Sequence, residues 1–335
     1  MRKMCELFGI SAGNEIDASP WLQTFFTHSE KNPHGWGIAH FHKSPAGRAG
    51  FGIVEKEPVK AGQSKYLKER LRQGMRASTL LAHIRAATIG ALEYNNTHPF
   101  QKTDDSRRCW TLAHNGTVFE GALLSRFIEV QEGQTDSERI LLYFVDRINR
   151  AREEKLREVQ SLENRQENKQ AAGCHPGAEL TAQERCRVID QAVACLAPGN
   201  KLNLLLFDGE ILYTHTNLRG TLHSCHVGDT ALFATVPFLT GSSSHWEELP
   251  FTSLCAWREG LQIYQGRPHH HVYVEDPEKI RSLMMVYAAL YTGRGTQNRP
   301  LSPLCLLSRT APCLHVSFLF FYHNSITINQ RTFRS

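Results

Sequence analysis

Met4-Cys5-Glu6-Leu7-Phe8-Gly9-Ile10-Ser11 sets an apolar run directly behind a cysteine, close to the start of the chain. Residues 5–11 read as a short buried strand. Working outward, residues 36–41 read as a second strand behind the turn Asn32-Pro33-His34-Gly35, with residues 51–54 as its partner. Residues 64–74 form a charged amphipathic helix, and residues 79–87 a strand that is apolar except for His83 and Arg85. A strand at 110–113 runs into His114-Asn115-Gly116, a turn signal. One helix begins near Glu120. Another begins after Thr135, with carboxylates in its first turn and Ile140, Leu141, Phe144, Val145 and Ile148 at helical spacing. Residues 151–170 are too charged to carry an apolar face and read as a solvated helical extension, followed by a loop at 173–177. A helix at 183–196 stops at Pro198-Gly199-Asn200. A hairpin then turns at Asp208-Gly209, and strands follow at 231–237 and 254–264, the last turning at Glu259-Gly260. Strands, two helices, then strands again place sheets and helices in segregated layers, the α+β class.

Composition narrows the function classes. Of 335 residues, 41% are hydrophobic and 21% charged, which suits a folded globular chain. The net charge of +5 is local: seven basic residues and no acidic one lie from Lys279 onward. The rest carries slightly more acid than base, so no basic face points to nucleic acid. Nine cysteines lack a framework spacing, and no apolar segment follows Met1-Arg2-Lys3-Met4 as a secretory signal would require. That usage fits a reducing cytoplasm. The longest apolar run, near residues 316–322, is too short to span a membrane. From about Gly295 acidic residues vanish and apolar ones lose their period. This fits a segment foreign to the evolved fold better than a docking tail, because local and global signals disagree.

Amide hydrolysis needs a nucleophile, a base beside it and donors for an oxyanion. A free α-amine titrates near 8, so a nucleophile at the first position carries its own base. Translation from Met4 with removal of that methionine would expose Cys5 as such a residue. Arg85 sits in an apolar strand, where an unpaired guanidinium is costly, so it faces either a pocket or a structural carboxylate. Asn115-Gly116 is either a plain turn or a pair of oxyanion donors. Thr135-Asp136-Ser137-Glu138 is either a helix start or a grip for a substrate ammonium. His223-Ser224-Cys225-His226 and His269-His270-His271 lack a second ligand pair at zinc spacing, so no metal or other cofactor is expected.

Taken together and in order, Cys5-Glu6-Leu7-Phe8-Gly9, Gly35-Trp36-Gly37-Ile38-Ala39, His83-Ile84-Arg85-Ala86-Ala87-Thr88, Asn96-Thr97-His98-Pro99-Phe100, His114-Asn115-Gly116 and Thr135-Asp136-Ser137-Glu138 resemble the class II glutamine amidotransferases, which are N-terminal nucleophile hydrolases. The stand-alone YafJ-like branch is most similar. The resemblance implies a four-layer α-β-β-α sandwich over residues 4–267, with a charged helical insertion at about 151–182 and a tail at 268–335. It implies Cys5 as nucleophile, Asn115 and Gly116 as oxyanion hole, Arg85 for the glutamine α-carboxylate and Asp136 for its α-amino group. His83, Thr88, Trp36 and His98 fall in matching motifs as packing and pocket-shaping residues. The implied ligand is glutamine or another γ-glutamyl small molecule. With no nucleotide-binding loop and no second catalytic domain visible, an ammonia acceptor would need a partner synthase subunit. The other reading is a catalytically silent chain that keeps the glutamine pocket.

Overall fold

The first strand outruns its apolar letters. In the computed structural model, which describes residues 5–43, 49–87, 90–165, 179–238 and 245–292, β1 spans Glu6–Asp17. The chain continues through α1 (Ser19–Thr27), β2 (Trp36–Lys43), β3 (Ala49–Glu57), α2 (Lys65–Arg72), β4 (Arg76–Ile84), β5 (Phe100–Thr103) and β6 (Cys109–Thr117). Then come α3 (Asp136–Arg165), α4 (Ala182–Leu196), β7 (Lys201–Phe207), β8 (Leu212–His215), β9 (His223–Val227), β10 (Thr230–Ala234), β11 (Glu247–Glu248), β12 (Leu254–Arg258), β13 (Leu261–Gln265) and α5 (Pro277–Thr292). Two antiparallel sheets result, ordered β11-β9-β10-β1-β4-β2-β3 and β13-β12-β8-β7-β6-β5.

Strand side chains alternate between faces, so each strand here divides its apolar residues between two cores. Phe8, Ile10, Ile38, Leu80 and Ala82 pack with Leu22 and Phe25 of α1 and Leu67 of α2. Leu7, Phe41, Leu81 and Phe233 point the other way and meet Ala113, Leu205, Phe207 and Trp257 of the second sheet. The far face of that sheet, with Trp110, Leu112, Leu204 and Leu206, packs on Ile140 and Phe144 of α3 and Ile189 and Val193 of α4. Three apolar layers therefore separate four structural ones, in the order helix, sheet, sheet, helix. This is the expected α+β sandwich.

Local differences from the sequence reading have physical causes. His114-Asn115-Gly116 is no turn: β6 runs on to Thr117, because Asn115 and Gly116 pair with Asn203 and Leu202 of β7. Near Glu120 the chain makes a 3-10 segment, Ala122–Phe127, rather than an α-helix. The charged stretch after Arg150 extends α3 to a 30-residue helix; the loop read at 173–177 lies outside the described residues. Residues beyond Gly266 fold back on the body, where Tyr273 and Leu283 form a small core with Phe119. The tail from residue 293 lies outside the described residues.

Candidate active site

Alternation also places the site. Glu6 bonds His28 and Asn32 on the α1 side. Cys5, one residue earlier, therefore faces the gap between the sheets, as Leu7 does. On β4, Leu81 faces the gap, so His83 and Arg85 continue on that side; on β6, Ala113 faces it, so Asn115 follows. Three strands from two sheets thus aim Cys5, Arg85 and Asn115 at one end of the sandwich. A cleft opens there, lined by Cys5, Arg85, His98, His114, Gly116 and Asp136 among others.

Each side chain is held differently. The Cys5 Sγ accepts the Ala86 amide at 3.2 Å. Burial pushes its thiol above the usual range, countered by that hydrogen bond and by Arg85. Arg85 is 3% exposed and donates from its two terminal nitrogens to the carbonyls of Ala91 (3.0 Å) and Gly90 (3.2 Å). Burial lowers its pKa, while Cys5 and Asp136 oppose the shift. Asp136 opens α3, where the helix dipole favours an anion, and its Oδ2 accepts the Val118 amide at 2.7 Å. The Asn115 Nδ2 is buried and finds no hydrogen-bond partner among the described residues. Gly116 must be glycine: an added Cβ would lie 2.0 Å from the Lys201 carbonyl oxygen.

Three histidines surround the cleft, and all are kept neutral. Burial pushes His83 down to about 3, helped by Arg85, and pushes His98 well down and His114 down as well. The His83 and His98 rings meet with centres 4.1 Å apart and planes tilted by 30°, behind and beside the cleft. The Lys56 ammonium fixes the His98 loop by donating to the carbonyls of Thr97 (2.7 Å) and Pro99 (3.1 Å). Trp36 lies fully buried in the α1 and α2 core, away from the gap. Thr88, like Met1 to Met4, lies outside the described residues.

Of the residues singled out from sequence, Cys5, Arg85, Gly116 and Asp136 line the cleft, with His98; Asn115 and His83 sit just behind its wall. The sequence reading missed Ser137, whose hydroxyl holds the His114 Nδ1 at 3.0 Å, and Lys56. It also missed Asn203, fully buried opposite Asn115. A polar residue inside the apolar run Leu202-Asn203-Leu204-Leu205 was the available signal for Asn203. Among the described residues no cluster of three or more His, Cys, Asp or Glu could hold a metal ion, and no helix is long and apolar enough to cross a membrane.

A four-layer sandwich with a cysteine at the head of an inner strand defines the fold of the N-terminal nucleophile amidotransferases. Among solved structures, glutamine phosphoribosylpyrophosphate amidotransferase of B. subtilis shares it, with a TM-score of 0.53 and 15% identity over 80% of this chain and 50% of its own. Residues 4–170 match the family described as class-II glutamine amidotransferases, and through this segment the chain belongs to that family. An uncharacterized protein of Methanocaldococcus jannaschii is 36% identical over 151 residues, covering 44% of this chain and 39% of its own. Escherichia coli YafJ, placed among glutamine amidotransferases by name only, is 31% identical over 150 residues, covering 43% and 55%. The chain therefore spans about half, or less, of the length of these two relatives.

Proposed function

We propose that the protein is a glutaminase-type amidotransferase whose nucleophile is Cys5, freed as the first residue by removal of Met1 to Met4. The observation that carries this reading is the convergence of Cys5, Arg85, Gly116 and Asp136 on one cleft, with the unpartnered Asn115 amide at its wall. Arg85 takes the glutamine α-carboxylate, for which a guanidinium fork is suited. Asp136 takes the α-ammonium. The Cys5 α-amine removes the thiol proton. No cleft histidine suits that task, because burial holds all three below their usual range. The thiolate attacks the side-chain carbonyl carbon, and the oxyanion rests on Asn115 Nδ2 and the Gly116 amide. Collapse breaks the C–N bond; the nitrogen takes the proton held on the Cys5 amine and leaves as ammonia. Water then hydrolyses the γ-glutamyl thioester to glutamate. An ammonia acceptor is supplied by a synthase partner, or ammonia is simply released. Another γ-glutamyl amide fits the same chemistry.

A diazo-ketone analogue of glutamine, followed by peptide mapping, tests this. The expected result is an adduct on Cys5 with Cys5 as the first residue. An unmodified Cys5 still preceded by Met4 would instead mark a chain that binds glutamine without turning it over.

A further inference from the structure

Strand β8 leaves its sheet early, and two side chains take over its missing rungs. In the β7–β8 register Leu204 faces His215, so Leu202 would face Asn217; but β8 ends at His215. The Leu202 amide donates instead to the Asn217 Oδ1 at 2.8 Å. The Leu202 carbonyl accepts from the His215 Nδ1 at 2.9 Å. A carbonyl only accepts, so Nδ1 carries the ring proton and Nε2 is an acceptor. The His269 Nε2, 3.0 Å away, must then donate to it, and the His269 Nδ1 accepts the His271 amide at 3.0 Å. The Asn217 Nδ2 donates to the carbonyls of Asn200 (2.8 Å) and His271 (3.3 Å), and its own carbonyl accepts the Tyr273 amide at 2.9 Å. The histidine run that looked idle in the sequence is the outer half of this lock.

Leu202 pairs with Gly116 across β6 and β7. In an antiparallel ladder a residue sends both backbone groups to the same side. Leu202 sends both toward β8, so its pairing with Gly116 is a non-hydrogen-bonded one, and the Gly116 amide points to the opposite edge of β6. There the neighbour β5 begins only at Phe100, level with Leu112, and never reaches Gly116. Gly116 is accordingly half-buried in an otherwise buried strand end.

We propose that His215 and Asn217 are positioning residues of the oxyanion site. By holding both backbone groups of Leu202, they pin the start of β7 opposite Gly116 and keep the Gly116 amide unpaired and aimed at the cleft. Without them Leu202 carries two buried, unsatisfied polar groups, and the start of β7 shifts to satisfy them elsewhere. The catalytic part of this inference rests on the glutaminase reading; the geometric part does not.

Asn115-Gly116 is the one Asn-Gly step in the chain. Carbonyl-¹³C asparagine with ¹⁵N glycine therefore marks a single amide in the full-length protein. The expected result is Gly116 exchange in minutes, at least about tenfold slowed after diazo-ketone capture, against hours or longer for paired ladder amides. Slow exchange of Gly116 in the free protein would overturn the proposal, whatever the activity. For turnover, Asn217→Ala and His215→Ala should lower kcat about tenfold or more, with the glutamine KM within about twofold. His215→Asn, which keeps a donor where Nδ1 stood, should recover most of the loss. A folded His215→Asn no better than His215→Ala, or Ala variants that move KM alone, would reject the positioning role. A parent protein with neither turnover nor a Cys5 adduct defeats the glutaminase reading, and the exchange measurement then still decides the geometry.

Discussion

At Asn115 one buried amide nitrogen goes without a partner, a cost of about 1–3 kcal/mol that a folded chain rarely keeps without use. As an oxyanion donor it should contribute about 3 kcal/mol to the transition state. Asn115→Ala is thus expected to lower kcat by about 10²–10³ while glutamine binding, read by calorimetry, stays near that of the parent. Unchanged turnover would remove Asn115 from the reaction. Arg85 should behave differently. Its terminal nitrogens are spread over two loop carbonyls and the cleft, a geometry that a lysine point charge does not reproduce. Arg85→Lys should raise KM by about tenfold or more, from a loss of about 1.5–3 kcal/mol in charged hydrogen bonding, with a smaller change in kcat. A KM that does not move would mean that the guanidinium serves the 90–91 turn alone.

At the scale of elements, α4 has a well-defined start. The Thr181 hydroxyl accepts the Glu184 amide while the Glu184 carboxylate accepts the Thr181 amide, a reciprocal capping box. Thr181→Ala should cost about 1 kcal/mol and lower the melting temperature by about 2–4 °C, measured by circular dichroism. Elements with a clear period or a continuous apolar run were legible: β2, β7, α2, α3 and α4 begin where the letters place them, while β1 runs on to Asp17 and β4 starts and ends three residues earlier than read. β6 was cut short because Asn-Gly is a strong local turn signal, and only pairing with β7 overrides it. The helix α1 gave no signal that was read, although Leu22, Phe25 and Phe26 bury one of its faces. Cys5, Arg85, Gly116 and Asp136 could be found because each is an odd residue in a readable setting. His215 and Asn217 could not, since their work depends on where β8 quits its sheet, which no local pattern encodes.

For the whole molecule, burial of histidine links stability to acid. His83 and His215 are pushed down to about 3 and His269 to about 4, each chiefly by burial. An unfolded histidine binds its proton near 6.5. Between those values the unfolded chain holds protons that the native one refuses, so stability is full above about pH 6.5 and declines as pH falls toward 4. The urea midpoint should therefore drop between pH 7 and pH 5, before the carboxylates titrate. A flat midpoint over that interval would show that these rings are solvated. The fold-back after Gly266 belongs to the same scale: Tyr273 stacks on Phe119, whose neighbour Val118 gives its amide to Asp136.

The proposed nucleophile rides on one sheet, and its proposed oxyanion donors ride on the other. What spaces them is the filling between the sheets, where the rings of Phe41 and Phe207 meet at 4.4 Å and those of Phe233 and Trp257 at 5.0 Å. The two sheets are the jaws of a caliper, and these four rings set its opening. A shaved or enlarged ring far from the cleft changes the gap between Cys5 and Asn115 without touching either, so the reach of the thiolate can be tuned from the middle of the sandwich.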